Sequence, residues 1–142
     1  MAYCTLDDIL KMIPQSVVIQ LTDDEGAGAV NTVRVDEAID GAAAEVDGYC
    51  ATRYSVPLNP VPAVIGKLSA DLAIYNLYAR VVETIPDTRK KQRDDAIRLL
   101  ERIADGRVQL GSTGLEPVSA PQGKPTIVSS DRLFNRESMR DL

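Results

Sequence analysis

The 142-residue chain contains no histidine, which removes the commonest general base and metal ligand. Cysteine is scarce: Cys4 and Cys50 are the only two, and their separation fits no metal-binding pattern. A disulfide between them is one reading; free thiols in a reducing compartment are favoured. No stretch approaches the ~20 consecutive apolar residues of a membrane-spanning helix. The opening MAYCTLDDIL has neither the basic region nor the apolar run of a signal peptide. A soluble intracellular protein with no membrane partner is therefore expected. Nucleotide-binding glycine loops and the G-x-S-x-G nucleophile elbow are missing as well. Asp94 and Asp95 are adjacent on an expected helix, so they point apart and make no catalytic dyad.

One acidic loop, Asp23-Asp24-Glu25-Gly26, invites a test against the calcium-binding EF-hand. Counting from Asp23, the fifth position is Ala27 and the twelfth is Arg34. Both fail as oxygen ligands, and a solvated acidic turn is the better reading. No catalytic residue, metal ligand or cofactor is assigned, and an enzyme is not expected.

What is present is charge, unevenly placed. The chain holds 21 acids against 16 bases, a balance that disfavours a dedicated nucleic-acid binder. Residues 1–48 carry ten acids and two bases, whereas residues 89–107 carry seven bases and four acids. Two oppositely charged ends let copies meet head to tail, which builds rings or filaments.

Apolar periodicity predicts an all-α protein, a small bundle of about four to five helices. Thr5 caps the first helix, with Asp8 completing a short capping box, and Pro14 ends it. Ser16–Leu21 predicts one or two further turns. Val35, Ile39, Ala42, Val46 and Tyr49 share one face of a third helix, expected to end near Tyr54 ahead of Pro57. Asp36, Asp40 and Asp47 give that helix an acidic back. The next helix, Pro62 to Val82, is apolar on two sides and is expected to be the most enclosed. Its Tyr75 and Tyr78 read as core or interface rather than as a binding site. A last helix begins at a cap on Asp87 or Thr88 and stops at Gly106, with Val108 and Leu110 as a short strand.

The first turn of that last helix, Arg89-Lys90-Lys91-Gln92-Arg93, places four cations where the helix dipole is already positive. A solvated basic turn is the favoured reading. The sharper one has Arg89, Lys90 and Arg93 facing the Asp36, Asp40 and Asp47 surface of a neighbouring copy. After Gly111 the composition turns to glycine and proline, which divides the chain into a helical domain, 1–111, and an extended C-terminal arm, 112–142. Within the arm, Ile127 and Val128 are strand-like, and Leu133-Phe134 lies between Arg132 and Arg136. Phe134 is the only phenylalanine, either an anchor that orders by docking or a stray aromatic in a frayed terminus. At full extension the arm reaches ~100 Å.

An ordered series of short motifs runs along the chain: Tyr3-Cys4-Thr5-Leu6-Asp7-Asp8, Gln20-Leu21-Thr22-Asp23-Asp24, Ala38-Ile39-Asp40-Gly41-Ala42, Val46-Asp47-Gly48-Tyr49 and Arg53-Tyr54-Ser55-Val56-Pro57-Leu58. Asp94-Asp95-Ala96-Ile97-Arg98-Leu99-Leu100 and Ile103-Ala104-Asp105-Gly106 complete it. Over residues 2–111 the series resembles a small structural protein of Mu-like phages and prophages. It is similar to the helical head–tail connector, or adaptor, proteins of tailed phages. Cys50 departs from the larger aliphatic residue expected there. The resemblance implies a homo-oligomeric ring of about twelve copies beneath the portal protein, monomeric in isolation until the portal is present. It also implies a tail-completion or tail-terminator protein on the other side, DNA passing through the lumen, and an arm gripping the portal or a neighbour. The implied location is the head–tail junction of the virion, and the bacterial cytoplasm during assembly. The competing expectation is a small helical regulator that binds DNA through the Arg89–Arg107 face.

Overall fold

A computed structural model describes residues 1–81, 83–111, 115, 117 and 118. Among them are five helices and no strand: α1 (Leu6–Met12), α2 (Gln15–Thr22), α3 (Thr32–Cys50), α4 (Ala63–Val81) and α5 (Asp87–Ala104). The protein is an all-α bundle. The three long helices pack against one another, and the two short ones lie on α4.

Local chemistry sets most helix ends. The Thr5 side chain accepts from the Asp8 amide while the Asp8 carboxylate accepts from the Thr5 amide, a complete capping box. Helix α3 begins at Thr32, three residues before the expected Val35, because the Asn31 side chain caps it through the Arg34 amide. It also ends early, at Cys50. Tyr54 leaves the helix in a turn, sinks to 2% exposure, and its hydroxyl accepts from the Leu110 amide at 3.0 Å.

That hydrogen bond also corrects the strand expected at Val108 and Leu110. The Leu110 amide is spent on a side chain, and Leu110 itself is buried in the core. At the head of α5 neither Asp87 nor Thr88 is the cap. Pro86 holds that position without a side-chain hydrogen bond, and Asp87 is the first helical residue. The tail of α5 closes as a Schellman turn: the Arg107 amide donates to Arg102, the Gly106 amide to Ile103, and Gly106 takes φ +77°.

Helix α4 is the enclosed element. Ile65, Leu68, Leu72, Ala73, Ile74 and Leu77 are all buried, together with Ser69 and Asp71. Its large apolar side chains each contribute roughly 1.5–3 kcal/mol by leaving water. Helix α3 faces it with Val35, Ile39, Ala42 and Val46; Tyr49 is only half-buried, and Cys50 takes the inner position instead. Both cysteines are free and buried. Burial raises the Cys4 thiol and pushes Cys50 up to about 11, so neither is a thiolate at neutral pH. Leu115, expected in the arm, is half-buried against the core, and the Val118 amide donates to the Arg53 carbonyl at 2.6 Å.

Candidate functional site

The acidic and basic surfaces are built by α3 and α5. Asp36 and Asp40 are exposed on α3, one turn apart. Like charges at that spacing cost a few tenths of a kcal/mol. Asp47 differs: it is half-buried and accepts a hydrogen bond from the Tyr3 hydroxyl. That hydroxyl in turn accepts from the Leu58 amide at 2.8 Å, so Asp47 helps tie the N-terminus to the proline loop.

The basic turn of α5 lies along the tyrosines of α4. The Arg93 guanidinium sits 4.9 Å from the centre of the Tyr75 ring and reaches Glu45 on α3 at 3.5 Å. Arg89 sits 5.9 Å from Tyr78 and donates to Gln92 at 2.8 Å. Aromatic faces and Glu45 therefore offset the cost of placing cations at the positive end of the helix dipole; each cation–π contact contributes on the order of 0.5–1 kcal/mol. Lys90 is exposed and, among the described residues, pairs only with Asp87. Lys91, Arg102 and Arg107 are exposed and form no ion pair among the described residues. Asp36, Asp40 and Lys90 thus face solvent, whereas Asp47, Arg89 and Arg93 have partners within the chain. The arm residues Ile127, Val128, Leu133, Phe134 and Arg136 lie outside the described residues.

The acidic loop is equally committed. Asp23 accepts from the amides of Ala27 and Gly28 at 2.9 and 2.7 Å, which holds its carboxyl below the ordinary range. Asp24 receives both guanidinium nitrogens of Arg80 at 2.7 and 2.8 Å, with the same effect on its carboxyl. These oxygens organise the loop between α2 and α3.

Two features escaped the sequence reading. Asp71 lies deep on α4 with its side chain 3% exposed; one carboxylate oxygen meets Lys67 at 2.7 Å, and the other is buried with no hydrogen-bond partner among the described residues. An acid between Ala70 and Leu72 in an apolar helix was the available signal. Arg53 is the second. Its guanidinium lies against Gly106, joining the ends of α3 and α5.

These features define the class: a small all-α bundle whose distinctive groups form surfaces and internal ties. The chain belongs to the family described as Bacteriophage Mu, Gp36, whose profile matches residues 3–129. It is 29% identical over 138 residues to the Mu-like prophage FluMu protein gp36 of Haemophilus influenzae, covering 97% of this chain and 96% of that protein. It is 28% identical over 141 residues to gene product J of Escherichia phage Mu, covering 96% of each. Neither name is that of an enzyme.

Proposed function

We propose that this chain is a non-enzymatic subunit of the phage head–tail connector, assembling as a ring between the portal protein and a tail-completion or tail-terminator protein. The carrying observation is membership of the Mu Gp36 family across nearly the whole chain, joined to the connector-like motif series. The charged faces support it: Asp36 and Asp40 on α3 are exposed and free to meet basic side chains of a neighbour, and Lys90, exposed and paired with Asp87 at 3.5 Å, can exchange that contact for a neighbour's acids. Asp47, Arg89 and Arg93, the remaining residues of the expected interface, already have side-chain partners within the chain. Ile127, Val128, Leu133, Phe134 and Arg136 supply the docking arm toward the portal or the next copy. DNA crosses the lumen without sequence-specific contact, and the subunit waits in the bacterial cytoplasm before joining the virion neck.

The DNA-binding regulator is the weaker reading. Two of the bases it needs, Arg89 and Arg93, are engaged with Tyr78, Tyr75 and Glu45. Cryo-EM of purified virions tests the connector role: density for this chain in the neck is the expected result, and its absence there refutes the proposal. Salt-sensitive retardation of duplex DNA would favour the regulator instead.

A further inference from the structure

The groove between α1 and the start of α4 has a volume of about 380 Å³. Its floor is apolar, made by Met12, Ala63, Gly66 and Ala70, and Lys11 and Lys67 stand on its two banks. Asp8 also borders it, but its carboxylate is spent on the Thr5 cap and on Lys11 at 3.0 Å. Lys67 meets Asp71 at 2.7 Å, yet its side chain stays 68% exposed. An apolar trough between two ammonium groups suits a helix face that mixes apolar residues with carboxylates.

The outer face of α3 has that composition. Val33, Glu37, Asp40 and Ala44 are all exposed, and their spacing of four, three and four residues lines them up as one stripe, with Asp36 beside it. This stripe and the groove lie on opposite sides of the molecule. Asn76 of α4 donates to the Ala38 carbonyl of α3 at 3.3 Å, which marks the side of α4 that α3 covers. Lys67 precedes Asn76 by nine residues, about two and a half helical turns, and so leaves α4 in the opposite direction. A copy cannot lay its own stripe in its own groove. Complementary patches on opposite sides meet heterologously, and such contacts propagate into rings or filaments.

We infer that the α1–α4 groove of one copy seats the outer face of α3 of the next. Val33 lies over Met12 and Ala63, and Asp36 and Asp40 face Lys67 and Lys11. This rests on the ring proposed for the connector and names the surface that receives its acidic face. A helix face about 16 Å long and 10 Å wide covers far less than the ~1,200 Å² of a stable pair. The single contact is therefore weak, and copies join firmly only where a larger assembly holds them side by side and the contacts add.

The test uses the full chain with the photo-reactive residue p-benzoylphenylalanine at position 33, in an equal mixture of isotopically light and heavy protein. Irradiation at rising concentration should join position 33 of one copy to Met12 or Ala63 of another, in pairs of mixed mass. Asp40→Lys in the crosslinking chain should lower the yield roughly tenfold, and Lys11→Glu in the accepting copy should recover it. Lys67 is left in place because it is the partner of buried Asp71. Ala63→Trp, at an exposed position, should fill the groove and abolish the crosslink while the unfolding curve stays unchanged. Crosslinks within one copy, crosslinks to the Arg89–Arg93 turn, a yield that Asp40→Lys leaves unchanged or that Lys11→Glu fails to recover, or no crosslink between copies at any concentration, each overturn the inference. None of these outcomes touches the connector role, which density in the virion neck decides by itself.

Discussion

Tyr3 and Asp47, separated by 44 positions in sequence, share a hydrogen bond in which the phenol donates to the carboxylate. Because the same phenol accepts from the Leu58 amide, one oxygen fastens the N-terminal segment, the end of α3 and the loop before α4. Tyr3→Phe removes that oxygen, leaves a buried amide without its acceptor and takes a donor from a half-buried carboxylate. A loss of roughly 1.5–3 kcal/mol is expected, read by denaturant unfolding at neutral pH. A loss below experimental error would show that water replaces the phenol.

The same contact predicts behaviour in alkali. Burial first, and then the bond to Asp47, hold the Tyr3 hydroxyl at about 12, against an ordinary 10.0. Burial first, and then the charge of Asp47, hold the Cys50 thiol at about 11, against 9.0. Both groups keep their protons longer in the folded state, so their stabilisation is complete below the unfolded values. It is lost as pH rises from 9 to 11 for Cys50 and from 10 to 12 for Tyr3, on the order of 2–3 kcal/mol each. The stability advantage of the native chain over Tyr3→Phe should therefore shrink steadily between pH 10 and 12. Thermal melts across that range measure it; a constant difference would contradict the assignment.

Much of this architecture was legible locally. Thr5 and Asp8 announce their capping box three residues apart, Gly106 announces the stop of α5, and the two-sided apolar pattern of α4 announces its enclosure. Each is a short-range pattern. What stayed hidden depends on residues distant in sequence. Tyr54 abandons α3 because its hydroxyl is needed by Leu110, and Leu110 is no strand for the same reason. Arg93 and Tyr75 were each noticed, one as a cation and one as an aromatic. Only the packing of α5 on α4 makes them partners. The acidic back of α3 read as uniform, yet Tyr3 singles out Asp47.

Gly106 is constrained twice. Its φ of +77° disfavours any side chain, and a Cβ there would collide with a guanidinium nitrogen of Arg53. Gly106→Ala should cost about 1–3 kcal/mol, part from the backbone and part from displacing Arg53. In an Arg53→Ala background the steric part vanishes, and the remaining penalty should approach about 1 kcal/mol. Equal penalties in both backgrounds would show that Arg53 moves aside freely.

Arg80 closes the end of α2 by donating to the Leu21 carbonyl at 2.9 Å while gripping Asp24 with both nitrogens. Arg80→Ala should lower the melting temperature at pH 7. Arg80 holds the Asp24 carboxyl below its ordinary range, so this contribution is present above the unfolded carboxyl value and fades as pH falls through the depressed folded one. The gap between Arg80→Ala and the native chain should narrow in acid. A gap that stayed constant toward low pH would assign the effect to the Leu21 carbonyl alone.

Charge reversal on α3 separates folding from assembly. Asp36 and Asp40 are exposed, carry no ion pair among the described residues, and repel each other across one helical turn. Replacing one of them with lysine removes that repulsion, so Asp40→Lys should leave the monomer as stable as before or more stable by roughly 0.2–0.5 kcal/mol. If this face meets the basic turn of a neighbouring copy, the same substitution sets lysine against Lys90 and should block incorporation into particles. Restoration by Lys90→Glu would identify the opposing residue. An unfolding curve at or above the native one, combined with lost incorporation, can only come from the interface. Normal incorporation would make the face a solvated one, whatever its charge.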